Sequence, residues 1–342
     1  MRVTRESLVR IARETAKERS YNDRSIIAAY LTGSLAGKDD PMLGGAADID
    51  LVLVHMMPHP ISREIVKLTP DFHIDIQHRD RNQFRSPREL RSDPYLGYEM
   101  YDPMLLSQSE KFFEFVQAGL RAGFEFHAPS LVLTRCRKLL AEARRRWIDL
   151  TAVGGASVGA PQVSLFLEAA GYAANSIAEL NGGPLAERRF LLHFPARAEA
   201  AERPDFTETL FGLLGAAQVD AAAISGWLPA WGADFLAASQ VAKVDPSINA
   251  ARLNYYEKGI QALLAGEAPL TALWPILHSW ALASEVLAPQ QSGTWKAACH
   301  QLGLLGESFE QRVSALDAYL DQIEVRLDEI AVASGVETSS RL

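Results

Sequence analysis

Ile26-Ile27-Ala28-Ala29-Tyr30-Leu31-Thr32-Gly33-Ser34 and, after the glycine-bearing approach Gly44-Gly45-Ala46-Ala47, Asp48-Ile49-Asp50-Leu51-Val52-Leu53-Val54 decide how this chain is read. The first is a short apolar run that stops at a Thr-Gly-Ser turn, the pattern of a buried strand ending tightly. The second is rich in β-branched and apolar residues and reads as another strand. Side chains alternate across a strand, so Asp48 and Asp50 project from one face while Ile49 points into the core. Two carboxylates side by side offer the hard oxygen donors that Mg²⁺ favours. Upstream of them, the Ser34 hydroxyl and exposed backbone N–H groups at a turn into a short helix suit phosphate oxygens, with Gly33 permitting close approach.

Before these strands, Leu8, Ile11, Ala12 and Thr15 recur at helical spacing between Thr4 and about Ser20, which predicts a leading helix. After them, Glu64–Leu68 and Phe72–Gln77 flank Thr69-Pro70-Asp71 as a hairpin-like pair of strands. Alternation puts Phe72, Ile74 and Ile76 on one face and His73, Asp75 and Gln77 on the other, so Asp75 faces away from the core side. A third carboxylate on a neighbouring strand completes a metal set or takes a proton from an attacking hydroxyl. Asp75 meets that requirement by parity, with Asp71 and Asp80 as competitors. A short strand is expected around Glu99–Leu106 and a helix from Lys111 to Gly119.

Beyond Pro129 the texture turns to Ala, Leu and Arg, and strand patterns disappear. This predicts an α+β domain with a small mixed sheet over residues 1–127 and an α-helical bundle domain over 128–342 that binds an acceptor or a partner. Helices are expected at roughly 130–150, 161–181, 205–216, 229–240, 248–265, 269–287 and 307–333. In the last, Phe309, Val313, Leu316, Leu320, Ile323, Leu327 and Ile330 alternate steps of four and three, a seam that suits packing within a bundle better than a coiled coil between chains.

The 342 residues and a formal net charge of −8 set bounds on function. A chain this long accommodates two domains. Excess negative charge argues against a nucleic-acid backbone as the default partner. The charged start Met1-Arg2-Val3-Thr4-Arg5-Glu6 lacks the apolar stretch of a signal peptide, and no run is long enough to span a bilayer, so a cytoplasmic protein without a membrane partner is expected, as monomer or homodimer. Cys136 and Cys299 stand far apart and read as buried small hydrophobes.

Leu31-Thr32-Gly33-Ser34, Asp48-Ile49-Asp50-Leu51 and Ile74-Asp75-Ile76 together resemble the nucleotidyltransferase superfamily that includes DNA polymerase β and the aminoglycoside nucleotidyltransferases. The likeness covers about the first third of the chain. It implies the polymerase-β-like fold and a triphosphate held by Gly33 and Ser34. It also implies metal–NTP held by Asp48 and Asp50, and a third acid, Asp75, that completes the metal site or acts as base. Two Mg²⁺ ions and an NTP, with ATP expected, are the implied cofactor and co-substrate. The loop from Ser34 to Asp48, with Lys38-Asp39-Asp40-Pro41, is a few residues longer than in the commonest members. A helical domain behind the catalytic one is similar to the aminoglycoside-modifying members, which implies a small-molecule acceptor.

Several further positions have both a functional and an ordinary reading. Ser34 suits a helix cap as well as a phosphate contact, and Lys38 suits a phosphate or plain solvation beside Asp39 and Asp40. Arg79, Arg81, Arg85, Arg88 and Arg91 form either a steering patch or a solvated basic face. Arg135 and Lys138, one turn apart, suit a triphosphate or surface pairing. Glu168, Tyr172, Asn175 and Glu179 share one helix face, which lines an acceptor pocket or forms a polar stripe. Two rival classes stay open: nucleotidylation of a protein or RNA in a regulatory or toxin–antitoxin role, and a noncatalytic nucleotide-binding module.

Overall fold

Thr4 opens the first helix by capping it: its side chain accepts from the Ser7 N–H at 3.3 Å while the Ser7 hydroxyl accepts from the Thr4 N–H at 3.0 Å. The computed structural model describes residues 3–37, 40–121, 126–152, 158–185, 187–288 and 292–336. These form two compact units, one of Met1–Phe126 with Ala251–Gly259, the other of His127–Ala250 with Ile260–Leu342.

Unit 1 runs α1 (Arg5–Asn22), β1 (Ile26–Leu31), α2 (Gly33–Ala36), β2 (Ala47–His55), β3 (Arg63–Lys67), β4 (Phe72–Asp80), α3 (Pro87–Arg91), α4 (Leu96–Tyr101), β5 (Met104–Gln108) and α5 (Phe112–Arg121). The strands form one mixed sheet in the order β3-β4-β2-β1-β5. β2 and β4 are parallel in the centre; the other pairs are antiparallel. The expected strand around Glu99–Leu106 is instead the end of α4 followed by β5.

The two faces of the sheet bury separate cores. Odd residues of β2 (Ile49, Leu51, Leu53) and even residues of β4 (Phe72, Ile74, Ile76) pack with Leu8, Val9, Ala12 and Ala16 of α1. Val52 and Val54 instead join Tyr30, Phe84, Leu90, Met100 and Phe113 on the opposite face. Burying both faces explains why β2 reads as an almost continuous apolar run. On that second face the apolar series gives way at its start to Asp50 and Asp48.

Among its described residues unit 2 has helices and no strands: α6 (Pro129–Ala152), α7 (Ala160–Ala178), α8 (Phe190–Ala200), α9 (Asp205–Leu213), α10 (Ala221–Ala238), most of the second half of α11 (Leu253–Leu264), α12 (Leu273–Val286), α13 (Gly293–Leu302) and α14 (Ser308–Ala333). α7 is buried around nearly its whole circumference and forms the centre. The α14 seam packs inside this unit against α6, α7 and α9. Cys136 and Cys299 are buried and free. Among the described residues no helix is long and apolar enough to cross a membrane.

Candidate active site at the acidic end of the sheet

The parallel register of β2 on β4 pairs Asp50 with Asp75 and Asp48 with His73. Paired positions on neighbouring strands carry side chains on the same face, so Asp50 and Asp75 sit side by side, with Asp48 one pleat along. The turn after β1 closes on this pair: the Thr32 N–H donates to the Asp50 carbonyl at 3.0 Å. Gly33 has φ +64°, and a Cβ there would overlap Asp50 Oδ2. Only glycine meets both demands, a left-handed backbone and contact with a carboxylate. Arg5 of α1 holds the far side of the turn, donating through Nε to the Leu35 carbonyl at 3.1 Å and through the guanidinium to Gly37.

Asp48 and Asp75 are buried, at 5% and 1% exposure. Asp50 keeps part of its surface open, yet burial and then the Asp48 and Asp75 charges hold its carboxyl well above the usual carboxylate range. Arg252 and Arg63 pull the other way without cancelling the effect. Three acids and two guanidiniums leave the cluster short of positive charge, which a divalent cation would supply. The Ser34 hydroxyl beside them is buried and has no hydrogen-bond partner, a donor and acceptor left over at the turn.

Asp75 is more firmly held than its parity implies. Arg63 donates to it in a fork, Nε to Oδ1 at 2.8 Å and Nη2 to Oδ2 at 2.5 Å. Arg252 Nη1 lies 3.8 Å from Oδ2, with its guanidinium over the rings of Tyr255 and Tyr256. The competitors are committed elsewhere: Asp71 pairs with Lys258 at 2.7 Å, and Asp80 accepts from the Asn82 N–H at 2.9 Å. Asp48, Asp50 and Asp75 do not draw together as closely as a one-ion trio. Among the described residues, the group of three whose ligand atoms all lie within 4.8 Å is His55, His59 and His78.

Arg63 and Arg252 were not singled out from sequence. Arg63 stands two residues before Ile65, the register partner of Asp75, so strand parity alone places it on that carboxylate's face. Arg252 gives no such signal, because its segment joins unit 1 from far along the chain. The domain division expected at 127/128 put residues 251–259 with the helices, whereas here they group with unit 1.

Several of the remaining candidates have partners of their own. Lys38 lies outside the described residues. Arg135 is not on the surface; it is fully buried with its Nε 2.5 Å from Glu179 Oε1. Lys138, three residues on, is exposed. Glu168 pairs with Arg146 at 2.8 Å, Asn175 accepts from the Leu185 N–H at 2.8 Å, and Tyr172 is half-buried. The Glu168–Glu179 face therefore serves packing inside the bundle more than an open stripe. Of the arginine patch, Arg79 donates to Glu99 at 2.8 Å and Arg91 to the Gly119 carbonyl at 2.7 Å, while Arg85 and Arg88 are exposed.

No protein-family model matches the chain, and no curated protein sequence matches it.

Proposed function

We propose that the protein is a metal-dependent nucleotidyltransferase of the polymerase-β type. It moves a nucleoside monophosphate from an NTP, ATP being expected, to the hydroxyl of a small-molecule acceptor and releases pyrophosphate. The observation that carries this reading is the Asp50–Asp75 pairing across parallel strands, with Asp48 one pleat along and Gly33 seated against the Asp50 carboxylate.

Asp48 and Asp50 would hold Mg²⁺, which supplies charge neutralisation for the triphosphate and the displaced pyrophosphate. Ser34 gives its unpartnered hydroxyl to phosphate oxygens. Gly33 keeps the backbone close enough for that contact. Asp75 receives the proton as the acceptor oxygen bonds to the α-phosphorus and the bond to the β-phosphate oxygen breaks. Arg63 fixes the orientation of Asp75 and has to loosen its fork for the proton to arrive. Catalysis of this kind rests on alignment and electrostatics, with no covalent intermediate on the protein.

The same fork favours a second reading, a noncatalytic nucleotide-binding module, because both Asp75 oxygens are already engaged. Mg²⁺-dependent pyrophosphate release from NTP, assayed with a panel of hydroxylated acceptors including aminoglycosides, separates the two. Asp48→Ala is expected to reduce turnover by at least about 100-fold, equivalent to ~3 kcal/mol of lost charge stabilisation, with an unchanged circular dichroism spectrum. Nucleotide binding with no turnover on any acceptor would support the binding module and defeat the enzyme.

A further inference from the structure

His55 and His78 stand at the opposite end of β2 and β4 from the acids, and on the other face of the sheet. His55 continues the odd series of β2 that faces α1, and His78 the even series of β4, whereas Asp50 and Asp75 have the reverse parity. Five residues of strand, about 16 Å, separate Asp50 from His55. The connection from β2 to β3 passes over this end and carries His59, whose ring stacks on His78 with centroids 4.0 Å apart.

Each imidazole has one nitrogen turned to an oxygen. His55 Nδ1 is 3.0 Å from Ser25 Oγ and 3.4 Å from Asp23 Oδ2. His59 Nδ1 is 2.8 Å from the Ile61 carbonyl, and His78 Nε2 is 3.4 Å from Glu64 Oε1. His55 Nε2 and His78 Nδ1 are hydrogen-bonded at 2.9 Å, and one ring nitrogen from each of the three histidines lies within 4.8 Å of the others. Outer oxygen partners on the far nitrogens are the arrangement that fixes the tautomer of metal-binding histidines. The rings border a cavity of about 580 Å³ between α1 and the sheet, reached also by Thr15, Glu18 and Arg19. Arg19 is itself paired with Glu64 at 3.0 Å.

We propose that His55, His59 and His78 form a site for one Zn²⁺-class divalent ion, with its fourth position open to the cavity and filled by water. Imidazole donors select borderline first-row ions over Mg²⁺, and three histidines with an open position match zinc's tetrahedral preference. Tetrahedral ligation sets nitrogens roughly 3.3 Å apart, slightly wider than the present His55–His78 approach. His59 closes the set by tilting out of its stack, which a loop position allows. This site does not depend on the nucleotidyltransferase reading.

Isothermal titration of the chelator-treated full chain with ZnCl₂ tests the proposal, alongside the visible absorption of Co²⁺ as a coordination probe. One equivalent is expected, with intense tetrahedral Co²⁺ bands. His59→Ala, in a loop, and His78→Ala are each expected to lose at least about 100-fold in affinity. Asp23→Asn and Glu64→Gln, which alter only outer partners, are expected to lose roughly 10-fold or more. Asp48→Ala keeps the wild-type zinc affinity. No binding in the wild type, unchanged affinity in both histidine variants, or loss of zinc binding in Asp48→Ala would each overturn the site.

Discussion

At Asp50 the folded chain stores an electrostatic penalty. Its carboxyl titrates well above the usual range because burial and two neighbouring carboxylates disfavour charge. Between the ordinary aspartate value of about 3.9 and that raised value, the folded state keeps a proton that the unfolded state has released. Stability of the metal-free protein therefore falls as pH rises through this window, by up to about 1.4 kcal/mol per pH unit. Asp50→Asn is expected to remove this slope, read as the difference between wild-type and variant urea midpoints across pH. Equal slopes in the two proteins would show that Asp50 carries no such penalty.

Gly33 faces a different constraint at the same scale. Gly33→Ala meets both a left-handed backbone and the Asp50 carboxylate, so a loss of about 2 kcal/mol or more is expected in denaturant unfolding. A wild-type midpoint in that variant would mean the turn relaxes away from Asp50.

Among the elements, the segment Ala251–Gly259 has the largest consequence for the site. It docks on unit 1 through Lys258 on Asp71, through Arg252 beside Asp75, and through the backbone of Lys258 against Gly44. Gly44 has φ +64°, and a Cβ there would overlap the Lys258 carbonyl. Gly44→Ala is therefore expected to loosen the start of α11, seen as faster hydrogen exchange at the amides of residues 253–259 than in wild type. Unchanged exchange would place the segment's anchorage elsewhere.

How far elements were legible depended on whether their signal was local. β1, β2 and β4 follow from apolar runs and period-two alternation, which also put the acids on a common face. No helix is expected over α8, which has Pro195 in its interior, and α10 is expected only from Pro229, although it begins at Ala221. An interior proline removes one backbone bond and strains the turn before it. Burial of Phe190, Leu191 and Phe194 in α8, and of Ile224, Trp227 and Trp231 in α10, outweighs that loss. α13 has a weak periodicity and begins at a glycine, so its pattern did not stand out.

Across the whole molecule, the α+β part and the helical part were foreshadowed by the change of composition near Pro129, while the return of residues 251–259 to the first unit was not. No sequence rule announces that an arginine from that distance will stand beside Asp75. The histidine trio was hidden for a related reason: its members come from two strand ends and a loop, and only the β2–β4 register unites them.

The central claim is that Asp48 and Asp50, with the Gly33–Ser34 turn, take a metal-bound nucleotide. Calorimetric titration of the full chain with ATP, with and without Mg²⁺, in wild type and Asp50→Asn, tests it most directly. Binding that requires Mg²⁺ and weakens by at least about 100-fold, or ~3 kcal/mol, in Asp50→Asn is the expected result. Absence of binding in the wild type, or ATP binding of equal strength without Mg²⁺ and in the variant, would contradict the account.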